Sequence, residues 1–158
     1  MKKSSHQVCL LLGSNIHPEF NLPLAVAHLR QELTVMRVSS VWESTPVGGM
    51  GPNYLNAAML ALTQKDAPLL KQRILLPLEA RLGRIRSADK NSPRTIDLDI
   101  IFFDHQQMDP MLWEHAYRAV PVSEILPADL PELDSLLKEA AARLNATTPL
   151  RLRQDVLL

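Results

Sequence analysis

The 158-residue chain predicts an α+β fold, because its candidate strands and helices follow in the order β-α-β-β-α-β with one more helix near the end. Three observations carry that order. Residues 7–12 and 54–62 are apolar runs of strand length. Leu22, Val26, Leu29 and Leu33, and later Leu70, Ile74, Leu78 and Leu82, recur at helical spacing. Residues 93–103, PRTIDLDIIFF, are β-branched and apolar behind an entering proline. Two helices on one face of a mostly antiparallel sheet form a ferredoxin-like α/β sandwich, here with an extra C-terminal helix. With 46% hydrophobic and 22% charged residues, residues 1–158 are expected to make one domain with a real core.

Taken in order, the first strand ends at Gly13-Ser14-Asn15, which has turn chemistry. The first helix has an ambiguous start, because Pro18 and Pro23 both suit only a first turn. Residues 34–42 read as one strand, carrying Val35, Val38 and Val41. Residues 43–53 hold three glycines and two prolines and form a loop. In the next strand Tyr54, Asn56, Ala58 and Leu60 share one face, and Leu55, Ala57, Met59 and Ala61 the other. Asp66 caps the second helix, Pro77 interrupts it and Gly83 ends it. Residues 104–107 read as a turn. Residues 108–118 show no period, and 122–126 suggest one helical turn after Pro121. The last helix spans 131–144, with Leu133, Leu136, Leu137, Ala140 and Leu144 as its apolar side. Residues 147–158 form a loose tail or a short final strand.

Composition excludes several classes. The formal net charge is zero, so no global basic excess points to nucleic acid. No run approaches the length of a membrane span. The run at 8–12 behind Lys2 and Lys3 is too short for a secretory leader, so a cytoplasmic location is expected. The single cysteine, Cys9, excludes an intramolecular disulfide and reads as core. There is neither a G-x-x-x-x-G-K-[ST] loop nor a G-x-G-x-x-G turn.

The chemistry concentrates at residues 93–103. Alternation places Ile96, Leu98, Ile100 and Phe102 on one face and Asp97 and Asp99 on the other, with Ile101 and Phe103 continuing the acidic face. The carboxylates stand roughly 6.6 Å apart along the strand. An Asp-x-Asp of this kind is ordinarily the wet face of an antiparallel strand. Here the strand turns apolar on both faces after it, and the preceding segment is basic: Arg81, Arg84, Arg86, Lys90 and Arg94 against one acid, Asp89. Carboxylates able to hold Mg²⁺ beside guanidinium forks able to hold phosphate suit a polyphosphate site.

These pieces resemble the 6-hydroxymethyl-7,8-dihydropterin pyrophosphokinase family. The matching residues are Gly13-Ser14-Asn15, Ser44-Thr45-Pro46, Tyr54-Leu55-Asn56-Ala57-Ala58, Glu79 with Gly83-Arg84-Ile85-Arg86, and Pro121 with Glu124-Ile125 and Pro127. The most specific is Pro93-Arg94-Thr95-Ile96-Asp97-Leu98-Asp99-Ile100. The resemblance implies transfer of the β,γ-diphosphate of ATP to the hydroxymethyl group of a reduced pterin, releasing AMP, in folate biosynthesis. It implies two Mg²⁺ ions on Asp97 and Asp99, with ATP as co-substrate, and catalytic roles for Arg84, Arg94, Asp97 and Asp99. It assigns the pterin to Thr45, Pro46, Tyr54, Asn56 and Tyr117. It assigns ATP to Glu79, Arg84, Arg86, Lys90, Arg94 and His115. A monomer without nucleic-acid or membrane partners is expected. The chain departs from the family pattern at Lys90-Asn91-Ser92, at Asp109 where a His is usual, and at His115 where an Arg is usual. Those changes thin the nucleotide contacts and leave a second reading, a non-catalytic pterin-binding paralogue.

Overall fold

The computed structural model describes residues 4–89 and 92–158 of the chain. Strand β1 (His6–Ser14) pairs antiparallel with β4 (Tyr54–Thr63) on one side and with β5 (Asp97–Phe103) on the other. Strands β2 (Thr34–Val38) and β3 (Trp42–Ser44) both pair with β4. The hairpin strand β6 (Gln106–Gln107) and the tail strand β7 (Arg151–Leu152) complete the order β6-β5-β1-β4-β3-β7. Every pair is antiparallel. The sheet with its two helical segments on one face is the expected ferredoxin-like sandwich, and the tail is the short final strand.

Two cores lie on the two faces of the sheet. On the first, α1 (Pro18–Glu32) buries Leu22, Ala25, Val26 and Leu29 against Leu10, Leu12 and Met59. The second helical segment, α2 (Ala67–Leu70) leading through a π-helical stretch (Lys71–Leu75) into α3 (Leu76–Arg81), adds Leu70, Ile74, Leu75 and Leu78. On the other face, α4 (Ala116–Ser123) and α5 (Pro131–Thr147) close over Cys9, Leu11, Ala58, Leu60, Ile101 and Phe102. Both faces are covered, which is why β1 and β4 are apolar almost throughout. Burial pushes the Cys9 thiol up, in keeping with a packing role. Among the described residues no helix is long and apolar enough to cross a membrane.

Local sequence explains most boundaries. The Asp66 carboxylate accepts from the Leu69 amide at 2.9 Å and starts α2. Pro77 lacks an amide hydrogen, and the turn before it widens into the π-helical stretch that rotates Leu75 into the core. Gly83, at φ +85°, ends α3. Asp104 and His105 both take positive φ, the two-residue turn that joins β5 to β6.

Four expectations need correction. Pro23 lies inside α1, not in its first turn, because the packing of Leu22 and Val26 outweighs one missing hydrogen bond. The strand expected over 34–42 is broken between β2 and β3. The Ser39 amide still donates to Ala58 O at 2.8 Å, but the return bond from the Ala58 amide goes to Ser39 Oγ, also at 2.8 Å, so a side chain takes half of the ladder pair. Residues 93–96 lead into β5 without belonging to it. Finally, the helix α4 starts within the stretch 108–118 that showed no period and ends at Ser123, where one turn over 122–126 was expected; its driving force is the burial of Ala116, Ala119, Val120 and Val122, and its cap has no side-chain bond.

Candidate active site

The site is built on three adjacent strands. Asn56 on β4, Gly13 on β1 and Asp97 on β5 stand directly opposite one another. The next row on the same face is Ala58, Leu11 and Asp99. Neighbouring strands lie about 4.8 Å apart, so the Asn56 and Asp97 backbones are roughly 10 Å apart with only glycine between them. A Cβ on Gly13 would stand 3.5 Å from Asn56 Oδ1 and 3.7 Å from the Tyr54 ring, pointing into that gap. The start of α4 overhangs the same face. The result is a cleft of about 620 Å³.

Nine of the residues given site roles from sequence line this cleft. Thr45, Pro46, Tyr54, Asn56 and Tyr117 do so on the pterin side of the assignment. Arg94, Asp97, Asp99 and His115 do so on the nucleotide side. Asn56 is 3% exposed. Its Nδ2 donates to Trp42 O at 3.0 Å and to Ser44 Oγ at 2.8 Å, so its orientation is fixed by β3. Burial raises the Tyr54 phenol pKa, keeping the ring neutral and stackable. His115 stacks on Tyr117 at 5.2 Å between ring centres.

The acid–base pairs are ordered. Arg94 Nη1 donates to Asp97 Oδ2 at 2.6 Å, and Arg84 Nη1 to Asp97 Oδ1 at 2.9 Å. Asp99 is engaged more loosely: its Oδ2 is 3.7 Å from Arg118 Nη1, and its side chain is 42% exposed. Burial and the neighbouring Asp97 charge push its carboxyl up to about 6, against the pull of Arg118. Asn15 sets this corner: it takes the Arg94 amide on Oδ1 at 2.7 Å, gives its own amide to Arg94 O at 3.1 Å, and reaches Pro52 O from Nδ2 at 3.4 Å.

Glu79, Arg84 and Arg86, expected among the nucleotide contacts, do not line the cleft. Glu79 is 3% exposed beneath it. It pairs with Arg84, takes Arg86 Nη2 at 2.9 Å and the Leu98 amide at 3.2 Å. A carboxylate beneath the strand holds the arginines; facing phosphate, it would repel. Lys90, with Asn91 beside it, lies outside the described residues. The phase of β5 also differs from expectation. The register slips opposite Cys9 and Leu10, so Phe103 packs with the first core and Phe102 joins Ile101 on the acidic face.

Sequence reasoning missed Arg118, which lines the cleft and bonds Asp109 Oδ2 at 2.7 Å. It also gave Asn15, read as turn chemistry and as part of a matching motif, no part in positioning Arg94. The signals were a basic residue directly after Tyr117 and an amide at a strand end.

The donor set suits a hard cation delivered with a polyphosphate. Asp97 and Asp99 project from one face of one strand, and among the described residues no group of three or more His, Cys, Asp or Glu side chains converges. Mg²⁺ is commonly held in this way, by one or two carboxylates plus phosphate oxygens and water.

A family model described as 7,8-dihydro-6-hydroxymethylpterin-pyrophosphokinase (HPPK) matches residues 9–127. A Synechocystis sp. protein named 2-amino-4-hydroxy-6-hydroxymethyldihydropteridine pyrophosphokinase is 35% identical over 133 residues, 77% of this chain and 67% of its own. A Bacillus subtilis protein of the same name is 34% identical over 128 residues, 73% of this chain and 75% of its own. One from Methylorubrum extorquens, again of that name, is 30% identical over 145 residues, 85% of this chain and 90% of its own.

Proposed function

The chain belongs to the 7,8-dihydro-6-hydroxymethylpterin-pyrophosphokinase family, and we propose that it transfers diphosphate from ATP to 6-hydroxymethyl-7,8-dihydropterin in folate biosynthesis. The hydroxymethyl oxygen forms a bond to the β-phosphorus, the bond from that phosphorus to the α,β-bridging oxygen breaks, AMP leaves and the hydroxyl proton is released. The observation that carries this reading is the row Asn56–Gly13–Asp97, which puts a buried, oriented amide and a paired carboxylate in one cleft across a gap that only glycine leaves open.

Each part has a role in that reaction. Tyr54 and Tyr117 offer faces for a flat ring, while Asn56 and the backbone at Thr45 and Pro46 read its edge. Asp97 and Asp99 would hold Mg²⁺, two ions in this reading, which neutralises phosphate charge when bound. Arg94, held at Asp97, is placed to meet a phosphate oxygen, and Arg84 fixes Asp97 from behind. Arg86, Lys90 and His115 are assigned to the outer nucleotide. Phosphoryl-group transfer of this kind demands mainly positioning and charge neutralisation, which such a constellation supplies. We read residues 1–158 as one domain, since both cores share one sheet, and the protein as a monomer.

The test is AMP production from ATP with Mg²⁺ and the pterin, with no-pterin and no-metal controls. Wild type should release AMP only when both are present, and Asp97→Ala and Asp99→Ala should abolish release while staying folded. Unchanged turnover in both variants would remove the metal assignment. Absence of pterin-dependent AMP from folded wild type would return the non-catalytic reading, which nothing in the cleft otherwise favours.

A further inference from the structure

We propose that Arg118 selects the form in which a divalent cation reaches Asp99: its guanidinium disfavours the bare ion and favours an ion accompanied by polyphosphate. This rests on the reading of Asp99 as a cation ligand.

Arg118 sits in the first turn of α4, with its side chain 19% exposed on the cleft wall. One nitrogen, Nη1, is 2.7 Å from Asp109 Oδ2 and 3.7 Å from Asp99 Oδ2. The guanidinium carbon stands 5.3 Å from the centre of the Tyr117 ring. Asp109 is itself fixed, since its Oδ1 accepts the Met111 amide at 3.0 Å. Arg118 Nε is buried and bonds no acceptor among the described residues. The group is therefore held on one side, close to Asp99, with one buried donor unsatisfied.

A guanidinium does not lose its proton in a protein, so this positive charge is permanent. A bare divalent cation at Asp99 would stand beside it and be repelled, and at the edge of a cleft such a charge pair is only partly screened. A cation carried by a nucleotide triphosphate is part of a net anion. The sign then reverses, and the phosphate oxygens supply the acceptors that a planar fork is shaped to meet. Asp99 need not release Arg118 to solvent, because the incoming phosphate replaces the carboxylate as its partner. One residue thus acts in opposite directions on two ligands, which a merely structural arginine does not do.

The test uses Mn²⁺ as the probe ion and α,β-methylene-ATP as a nucleotide that cannot react, with binding followed by calorimetry and Mn²⁺ paramagnetic resonance. In Arg118→Met, bare Mn²⁺ should bind about 10-fold tighter and the Mn²⁺–nucleotide complex about 10-fold weaker, the scale of one partly screened charge contact. Arg118→Lys keeps the charge without the fork; it should match wild type for bare Mn²⁺ and bind the complex a few-fold more weakly. It also covers the case in which the Met variant misfolds. Affinities in Arg118→Met that move in the same direction, or do not move, overturn the inference. Wild type that binds neither Mn²⁺ nor the complex overturns the functional reading beneath it, a result distinct from a normal wild type with an indifferent Arg118.

Discussion

Replacing Glu79 by alanine should cost stability before it costs catalysis. The Glu79 side chain is 4% exposed and serves three donors: Arg84, itself 8% exposed, the more exposed Arg86, and the Leu98 amide at the start of β5. Arg86 is 61% exposed, so its share is about 0–1 kcal/mol. Arg84 is different, because losing its inner partner leaves a buried charge held by Asp97 alone. Breaking a buried pair from one side costs about 3–5 kcal/mol. An unpaired Leu98 amide adds about 1–3 kcal/mol unless water enters the space. The expected total is at least about 3 kcal/mol. With a slope of about 2 kcal/mol per molar urea, the midpoint should fall by about 1.5 M or more. Glu79→Gln keeps an acceptor for Leu98 and should lose roughly half as much. The assay is equilibrium urea unfolding, beside the Michaelis constant for ATP. An unchanged midpoint in Glu79→Ala with a large rise in that constant would refute the reasoning and return Glu79 to the nucleotide.

Three further outcomes are expected. The Asp99 carboxyl is raised to about 6, above its unfolded value of about 3.9, so its favourable contribution is present below pH 4 and is lost as pH rises through 6; in thermal melts between pH 5 and 7, ligand-free wild type should gain stability toward pH 5 relative to Asp99→Asn, by no more than about 1 kcal/mol given the exposure of the group. Arg153 bonds Glu43 at 2.6 Å, and Glu43 reaches Asn53 at 3.4 Å across the base of loop 43–53; Arg153→Ala should raise the pterin Michaelis constant several-fold with turnover nearly kept, and an unchanged constant would reduce the tail to a sheet edge. Gly13→Ala adds a methyl group at ordinary contact distances, so melts should stay within about 1 kcal/mol of wild type while calorimetry shows weakened pterin binding.

What sequence could show, and what it could not, follows from periodicity. The strand and helix order was legible because β1 and β4 are apolar runs of strand length and the helical stripes repeat at 3.6 residues, and the alternation of strand side chains put Asn56 and the Asp pair on the expected face. The phase of β5 beyond Asp99 was not legible. Ile100, Ile101, Phe102 and Phe103 are all apolar, so nothing in their pattern marks which residue is passed over when the register slips. The break between β2 and β3 depends on a hydroxyl bonding a strand 19 residues away, a contact with no local signature. Arg84 and Glu79 were legible as members of a site but not as its floor. Their depth is set by α3 packing behind β5, and a charged residue at a helix end reads alike whether it faces solvent or a buried carboxylate.

The same long-range placement shows how an electroneutral chain could offer a site to a polyphosphate. Four carboxylates, Glu79, Asp97, Asp99 and Asp109, are set against four guanidiniums, Arg84, Arg86, Arg94 and Arg118. None of these groups has to be desolvated without an opposite charge nearby, so the folded state avoids the heavy cost of isolated buried ions. The two carboxylates at the cleft are nevertheless unequal. Asp97 has both oxygens occupied by arginines, whereas Asp99 has one long contact and considerable exposure. On the proposed reading, Asp99 would therefore be the more accessible ligand for a cation arriving with phosphate. Held at Asp97 as well, the cation would weaken the carboxylate's grip on Arg94, and in the reading proposed above that guanidinium would turn to the phosphate. The Arg94–Asp97 and Arg118–Asp99 pairs at the cleft would then be placeholders for contacts with the substrate, and binding would be an exchange of partners with little creation of new charge in the cleft.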